Sequence, residues 1–499
     1  MYWHRALRHL NWRIILNLLG YVMIAAGALM ILPLIVSLLY QEQAWQAFLW
    51  SILICVIISI PLMRISTKKT SYFAKDGLIA VGLSWLLVSA VGALPFYLSN
   101  EIPSYVDALF ETVSGFTTTG SSILTDVEAL SNGLLFWRSF THWIGGMGVL
   151  VFVLALLPKS NERTMHIMRA EVPGPTIGKL VPRLKKSAMI LYLLYMLLTV
   201  IEILLLLLGK MPLFDALVNT FGTAGTGGFA IKNLSIGFYN NAYYEAVITI
   251  FMLLFGVNFN LYYFLMIRDY RQAFHDEELR AYFGIVAASV ICIIINIYPI
   301  YNSLAECFRY SSFQVASIIT TTGYSSADFN LWPTLSKTIL LLLMVVGASA
   351  GSTGGGVKVS RMLIIVKRIK LDIQRLIHPQ KVNAITLNGR IVQEETVNQI
   401  MSFFCCYILI MAACFLIVSL DNFDIETTIS SVFACLSNIG PGLGLCGPIG
   451  NFSMFSDLSK LFLTAAMLIG RLEIFPIIIF LSPLFHMPTL RRGSREESV

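Results

Sequence analysis

The chain has 499 residues, of which 57% are apolar and only 13% charged, and its mean hydropathy is +0.75. Soluble domains carry roughly 25% charged residues, so this composition excludes an ordinary soluble fold and places the chain in a bilayer. The net charge of +7 reads as membrane topology and not as a nucleic-acid footprint: with the N-terminus in the cytoplasm, most Lys and Arg fall in cytoplasmic loops.

In chain order, apolar runs long enough to cross the hydrocarbon, roughly 20 residues each, occur near 14–39, 45–63, 77–99, 135–157, 187–209, 243–267, 283–301, 336–366, 397–420 and 458–486. Ten spans are therefore expected. The basic start MYWHRALRHLNWR resembles the head of a signal peptide, but the apolar core after it is too long and no small-residue cleavage site follows. Lys68, Lys69, Lys185, Lys186, Lys367, Arg368 and Lys370 then lie on the inside. Cys405, Cys406 and Cys414 sit within apolar runs without metal-ligand spacing, and no cofactor is expected.

Between the spans a pattern recurs. DALFETVSGFTTTGSS, from Asp107, is echoed by DALVNTFGTAGTGGFA, from Asp215, and each reaches a glycine thirteen residues on, Gly120 and Gly228. SSFQVASIITTTGYSS with Gly323 and SVFACLSNIGPGLG with Gly440 are weaker copies. Each copy lies in a short semi-polar segment between two long spans. A dozen helical residues reach about 18 Å, too short to cross, so the segment must enter and return. The expected fold is an all-α integral membrane protein: an N-terminal two-helix extension (1–75) and four pseudo-symmetric helix–pore loop–helix repeats around a central pore (76–183, 184–280, 281–393 and 394–499).

Small residues also let helices approach closely, but irregular backbone at membrane depth is tolerated where it lines a watery passage. Four equivalent loops suggest a ring whose carbonyls replace the hydration shell of a monovalent cation. The expected potassium-binding residues are Thr118, Thr119 and Gly120; Thr226, Gly227 and Gly228; Thr321, Thr322 and Gly323; and Asn438, Ile439 and Gly440. Glycine tolerates the φ values that turn carbonyls to the axis, and the half-helices point their negative C-terminal ends at the ion. Glu101, Asp107, Glu111, Asp126 and Glu128 could enrich cations at the mouth.

After Val346 comes GASAGSTGGGVKVSR, with Gly347, Gly351, Gly354, Gly355 and Gly356. About ten apolar residues precede it, so the helix breaks near mid-membrane. The reading is either a packed kink or a flexible gate beneath the loops, with Lys358 following it. Arg471, in AAMLIGRLEIFP, costs about 2.5–3.5 kcal/mol to place in a span. It is expected to face the conduit or the glycine loop as a brake on cations, the alternative being a structural salt bridge. His142, in FTHWIGG, reads as an interfacial hydrogen-bonding residue near the outer end of its span.

Together the four glycine loops, the two extra N-terminal helices, RSFTHWIGGMGVLVF and GASAGSTGGGVKVSR resemble the superfamily of Trk, Ktr and HKT potassium transporters, and most closely its bacterial TrkH/TrkG type. The resemblance implies that the four glycines mark a potassium filter, that the glycine loop is the gate, and that an arginine matching Arg471 lies beside the pore. It also implies a homodimer in the bacterial inner membrane and a cytosolic TrkA-like nucleotide-binding partner. A proton- or sodium-coupled secondary transporter is the alternative, since it too would use broken helices. An enzyme is not expected: no HExxH, GxSxG or paired intramembrane aspartates occur.

Overall fold

The computed structural model describes residues 11–65, 74–148, 184–378 and 384–474. The N-terminal pair is α1 (Trp12–Leu29, continued by Ile31–Leu39) and α2 (Trp45–Met63). Then follow α3 (Ala74–Gly92), the half-helix α4 (Tyr105–Phe116) and α5 (Asn132–Gly146). The second unit is α6 (Leu184–Leu208), half-helix α7 (Leu213–Gly225), and the pair α8 (Ala242–Phe255) and α9 (Phe259–Met266). The third is α10 (Glu277–Tyr301), half-helix α11 (Leu304–Ile319), α12 (Thr334–Val346) and α13 (Val359–Ile377). A two-residue hairpin, β1 (Thr386–Leu387) and β2 (Arg390–Ile391), leads to α14 (Glu394–Val418), half-helix α15 (Ile425–Leu436) and α16 (Asp457–Arg471).

Polarity runs opposite to that of a soluble protein. The long helices turn Leu193, Ile295, Leu409 and Leu416 outward, each more than half exposed, as lipid-facing surface requires. The half-helices are buried on nearly every side and carry Thr112, Ser114, Thr223, Ser317 and Ser431 into the interior. Ser104, Ser303 and Asp424 cap three of the four by accepting from the N–H groups of Asp107, Glu306 and Thr427. Asp107, Asp215, Glu306 and Glu426 occupy the first turns, where the positive helix end favours acids.

Six helices among the described residues are long and apolar enough to cross a membrane, which makes this an integral membrane protein, and the remaining expected spans differ instructively. The run 243–267 is not one helix but a pair bent by 91°. Gly256 ends α8, and the Asn258 side chain accepts from Asn260 N–H to start α9. The backbone groups freed at the bend bond to the glycine loop, so the break is satisfied in tertiary structure and its cost is hidden from hydropathy. The run 336–366 is interrupted at 347–358, as expected, and the spans 135–157 and 458–486 continue beyond the described residues. The basic N-terminus and Lys68 and Lys69 lie outside them too, as do the side chains of Lys185 and Lys186.

Candidate functional site

Each half-helix ends in the same way. In the first, Thr118 N–H donates to Gly115 O at 3.0 Å and Thr119 N–H to Ser114 O at 2.8 Å. The matching pairs are Thr226 to Thr223 and Gly227 to Gly222, Thr321 to Ile318 and Thr322 to Ser317, and Asn438 to Cys435 and Ile439 to Ala434. This is a Schellman cap, in which the residue after the helix turns left-handed. Glycine usually takes that position, but here Thr118, Thr226, Thr321 and Asn438 hold it at φ of +55°, +53°, +59° and +57°. At the three threonines this costs about 1–2 kcal/mol more than an ordinary conformation. Two residues on, Gly120, Gly228, Gly323 and Gly440 are again at positive φ. All four loops thus share one alternation of handedness.

The glycines also close a circuit. A Cβ on Gly120 would strike Gly227 O, one on Gly228 would strike Thr322 O, one on Gly323 would strike Ile439 O, and one on Gly440 would strike Thr119 O. Every one of these approaches is under 3.0 Å, closer than real Cβ contacts allow. In each case the struck oxygen belongs to the residue before the next loop's glycine. Loop one packs on two, two on three, three on four, and four on one. The twelve expected ligand residues are therefore brought together in a single ring.

Their oxygens have little else to do. Among the described residues, the carbonyls of Thr119, Gly227, Thr322 and Ile439 accept no hydrogen bond, although these residues are buried. Thr118 Oγ1 and Asn438 Oδ1 are buried without a partner as well. An unpaired buried polar group costs about 1–3 kcal/mol, and a bound ion or water would offset that cost. Uncharged oxygens that follow the negative C-terminal ends of four helices suit a dehydrated monovalent cation.

The supports behind the ring differ from loop to loop. Thr117 and Thr119 pair their hydroxyls at 2.7 Å, and Thr320 and Thr322 do so at 2.8 Å. In the fourth loop Tyr407 bonds Ser437 at 2.7 Å, while Asn438 Nδ2 reaches Thr119 Oγ1 and Met467 O, each at 2.9 Å. Gly225 and Gly227 leave the second loop bare, and His142 fills the space. Its Nδ1 lies 2.8 Å from Gly115 O and its Nε2 accepts from Phe229 N–H. His142 is thus fully buried between two loops and not interfacial. The glycines that lack side chains create the slot it occupies.

Nine residues before each ring glycine stands a polar side chain: Glu111, Asn219, Gln314 or Ser431. Glu111 accepts from Ile123 N–H and Ser122 Oγ and meets Arg138 Nε at 2.5 Å. Arg138 in turn donates to Ala230 O and stacks over Phe229. This clamp ties the first two return segments, and the shared register of the four polar positions is its signal in the sequence. It also removes Glu111 from the expected cation-attracting mouth. Asp107 is neutralised by Lys460 at 2.6 Å and Glu128 by Lys232 at 2.8 Å, whose hydrogen bond holds the Glu128 carboxyl below the usual carboxylate range. Asp126 accepts from Asn233 Nδ2, and Glu101 from Ser131 N–H. These acids mainly stitch the connecting loops to one another.

Directly under the ring lies the glycine loop, 347–358. Gly355 N–H donates to Thr321 Oγ1 at 2.6 Å and Gly356 N–H to Ser437 O at 2.9 Å. A Cβ on Gly354 would crowd Thr320 O. From the side, the broken α8–α9 pair grips it: Gly256 O accepts from Ser349 N–H, Phe255 O from Thr353 N–H, and Phe259 N–H donates to Gly351 O. Gly347 packs against Gly356, and buried Lys358 donates its ammonium to Gly354 O. Arg471 lies at the end of α16, donating to Thr353 O at 2.8 Å and to Gly145 O and Gly146 O at 2.6 and 2.9 Å. Glu473, two positions on, pairs with Arg361.

A family model described as TrkH, cation transport protein, matches residues 44–488. The TrkH potassium uptake protein of Salmonella typhimurium is 35% identical over 483 residues, covering 95% of this chain and 99% of that protein. The TrkG potassium uptake protein of Escherichia coli K12 is 34% identical over 95% of this chain and 98% of its own. The crystal structure of the potassium transporter TrkH from Vibrio parahaemolyticus superposes with a TM-score of 0.84 at 30% identity, covering 96% of this chain and all of that one. The chain belongs to the TrkH family of cation transport proteins.

Proposed function

We propose that this protein takes up potassium across the bacterial inner membrane through the ring of four loops, with the glycine loop as its gate. The observation that carries the reading is the closed circuit of Gly120, Gly228, Gly323 and Gly440 around buried carbonyls that accept no hydrogen bond among the described residues. Four repeats within 76–183, 184–280, 281–393 and 394–499 would supply one quarter of the ring each, behind an N-terminal extension of 1–75. The N-terminus lies in the cytoplasm on this reading, which gives α13 and its Lys367, Arg368 and Lys370 a cytosolic position. A homodimer and a TrkA-like nucleotide-binding subunit, docked on that basic end, complete the assembly. The names and likeness of the relatives support potassium as the substrate.

Reconstitution in liposomes tests this. Potassium and rubidium flux well above sodium flux, with resolvable single-channel currents, is the expected result. Equal flux of all three cations would overturn the selective ring, and slow saturable flux that vanishes without a proton or sodium gradient would assign the coupled transporter instead.

Arg471 is proposed as a brake on the conduit. At an effective dielectric constant of about 20, one positive charge repels a cation by about 4 kcal/mol at 4 Å and by less as the distance grows. Arg471→Ala should therefore raise conductance several-fold. A conductance equal to that of the parent would leave Arg471 as a structural tether that joins Thr353 to the end of α5.

A further inference from the structure

The glycine loop has a fastening outside the ring. Glu278, in the first turn of α10, is 6% exposed, and one carboxylate oxygen, Oε1, accepts two backbone N–H groups from opposite arms of the loop. Ala350 N–H, on the arm leaving α12, lies 2.6 Å away, and Ser360 N–H, in the first turn of α13, lies 3.0 Å away. Both arms of the loop are pinned at a single atom. Displacing the loop relative to α13 breaks one of the two bonds and leaves a buried oxygen half-satisfied, a cost that favours the position seen here.

The helix end that carries Glu278 is itself held from the cytosolic side. At the tip of the β1–β2 hairpin, Asn388 exchanges bonds with Glu277: its Oδ1 accepts from Glu277 N–H at 2.7 Å, and its own N–H donates to Glu277 Oε1 at 3.0 Å. Asn388 Nδ2 also reaches Asp276 Oδ2 at 2.6 Å. Lys367 joins Glu277 Oε2 to Thr386 O, and so ties α13 to the hairpin. An exposed hairpin therefore grips the residue next to the one that pins the loop.

We infer that Glu278 is the latch that holds the gate loop closed, and that the 385–392 hairpin is the handle through which cytosolic contacts release it. The inference rests on the gate reading above. Glu278 does not touch the ring, so it is a positioning residue: it sets how often the conduit is open and not which ion passes. The latch works through acceptor geometry, which a glutamine carbonyl can reproduce and a shorter side chain cannot.

The test is basal potassium flux and single-channel recording of the full-length protein in liposomes without any cytosolic subunit. Glu278→Ala should raise basal flux about tenfold or more, since both bonds to the one buried acceptor disappear. Glu278→Asp should fall between Ala and parent, and Glu278→Gln should stay within about twofold of the parent. Asn388→Ala, at the exposed tip of the hairpin, should raise flux several-fold. Unitary conductance and the potassium-to-sodium ratio should remain parental throughout, which a merely damaged fold would not preserve. If Glu278→Ala does not fold, the Asp, Gln and Asn388 variants still decide. Parental flux in Glu278→Asp and Asn388→Ala, beside high flux in a chain lacking 349–356, would overturn the latch and leave the gate standing. Glutamine as leaky as alanine would overturn it also. Parental flux in the deleted chain would remove the gate reading and the latch with it.

Discussion

Changing Gly120, Gly228 or Gly323 to serine is expected to lower the preference for potassium over sodium at least tenfold in liposome flux. Two independent costs converge at each position. Positive φ is strained for a residue with a Cβ, and that Cβ would fall on a carbonyl oxygen of the neighbouring loop. Relief requires the struck oxygen to move, and it belongs to the layer proposed to bind the ion. A loss of about 1.4 kcal/mol in relative binding corresponds to a tenfold change. Because the loops pack in a circuit, the disturbance at one glycine passes to the next loop's ligand. Gly440 meets a less severe approach to Thr119 O than the other three make to their neighbours. Its φ of +102° is nevertheless a glycine conformation, so Gly440→Ser should be the mildest of the four without being neutral. Parental ion ratios in all four variants would show that the circuit is a packing device and that ion choice is made elsewhere.

The parts of this site that were legible in the sequence are the parts set by short-range chemistry. A glycine thirteen residues after Asp-Ala-Leu, twice, marks a local backbone requirement, and the apolar spans mark lipid. Even the atypical fourth loop follows: SNIGPG lacks the threonine, but Asn438 adopts the same left-handed turn because asparagine tolerates that region. What stayed hidden depends on distant partners. His142 serves a loop some 85 residues away in the chain and carries no local sign of doing so. The bend at Gly256 and Asn258 sits inside a run whose mean hydropathy reads as one span, and the glycine loop that bonds its freed backbone groups explains why the break is tolerated. The loop acids were legible as charges, but the lysines and the arginine that neutralise three of them come from other segments. Glu278 reads in isolation as an ordinary acid in a helix's first turn.

Removal of residues 349–356 is expected to leave a folded protein with basal potassium flux raised at least tenfold. The backbone pattern across the loop makes this a specific deletion. Val357 N–H donates to Val345 O at 3.1 Å and Lys358 N–H to Val346 O at 2.9 Å, so α13 resumes the hydrogen-bond ladder at the end of α12. Without the eight intervening residues, Val357 and Lys358 would stand four positions after Val345 and Val346, the spacing of an α-helix. The glycine loop is thus looped out of what is otherwise one helix, and its excision restores a continuous span from Thr334 to Ile377. Excision removes the hydrogen bonds to Thr321 Oγ1, to Ser437 O and to the broken α8–α9 pair, together with the Thr353 carbonyl that receives Arg471. None of these bonds builds the ring's own circuit, so the ion ratio should stay parental while flux rises. A parental flux would mean that the loop does not obstruct the conduit, and a lost ion ratio would mean that it supports the ring from below.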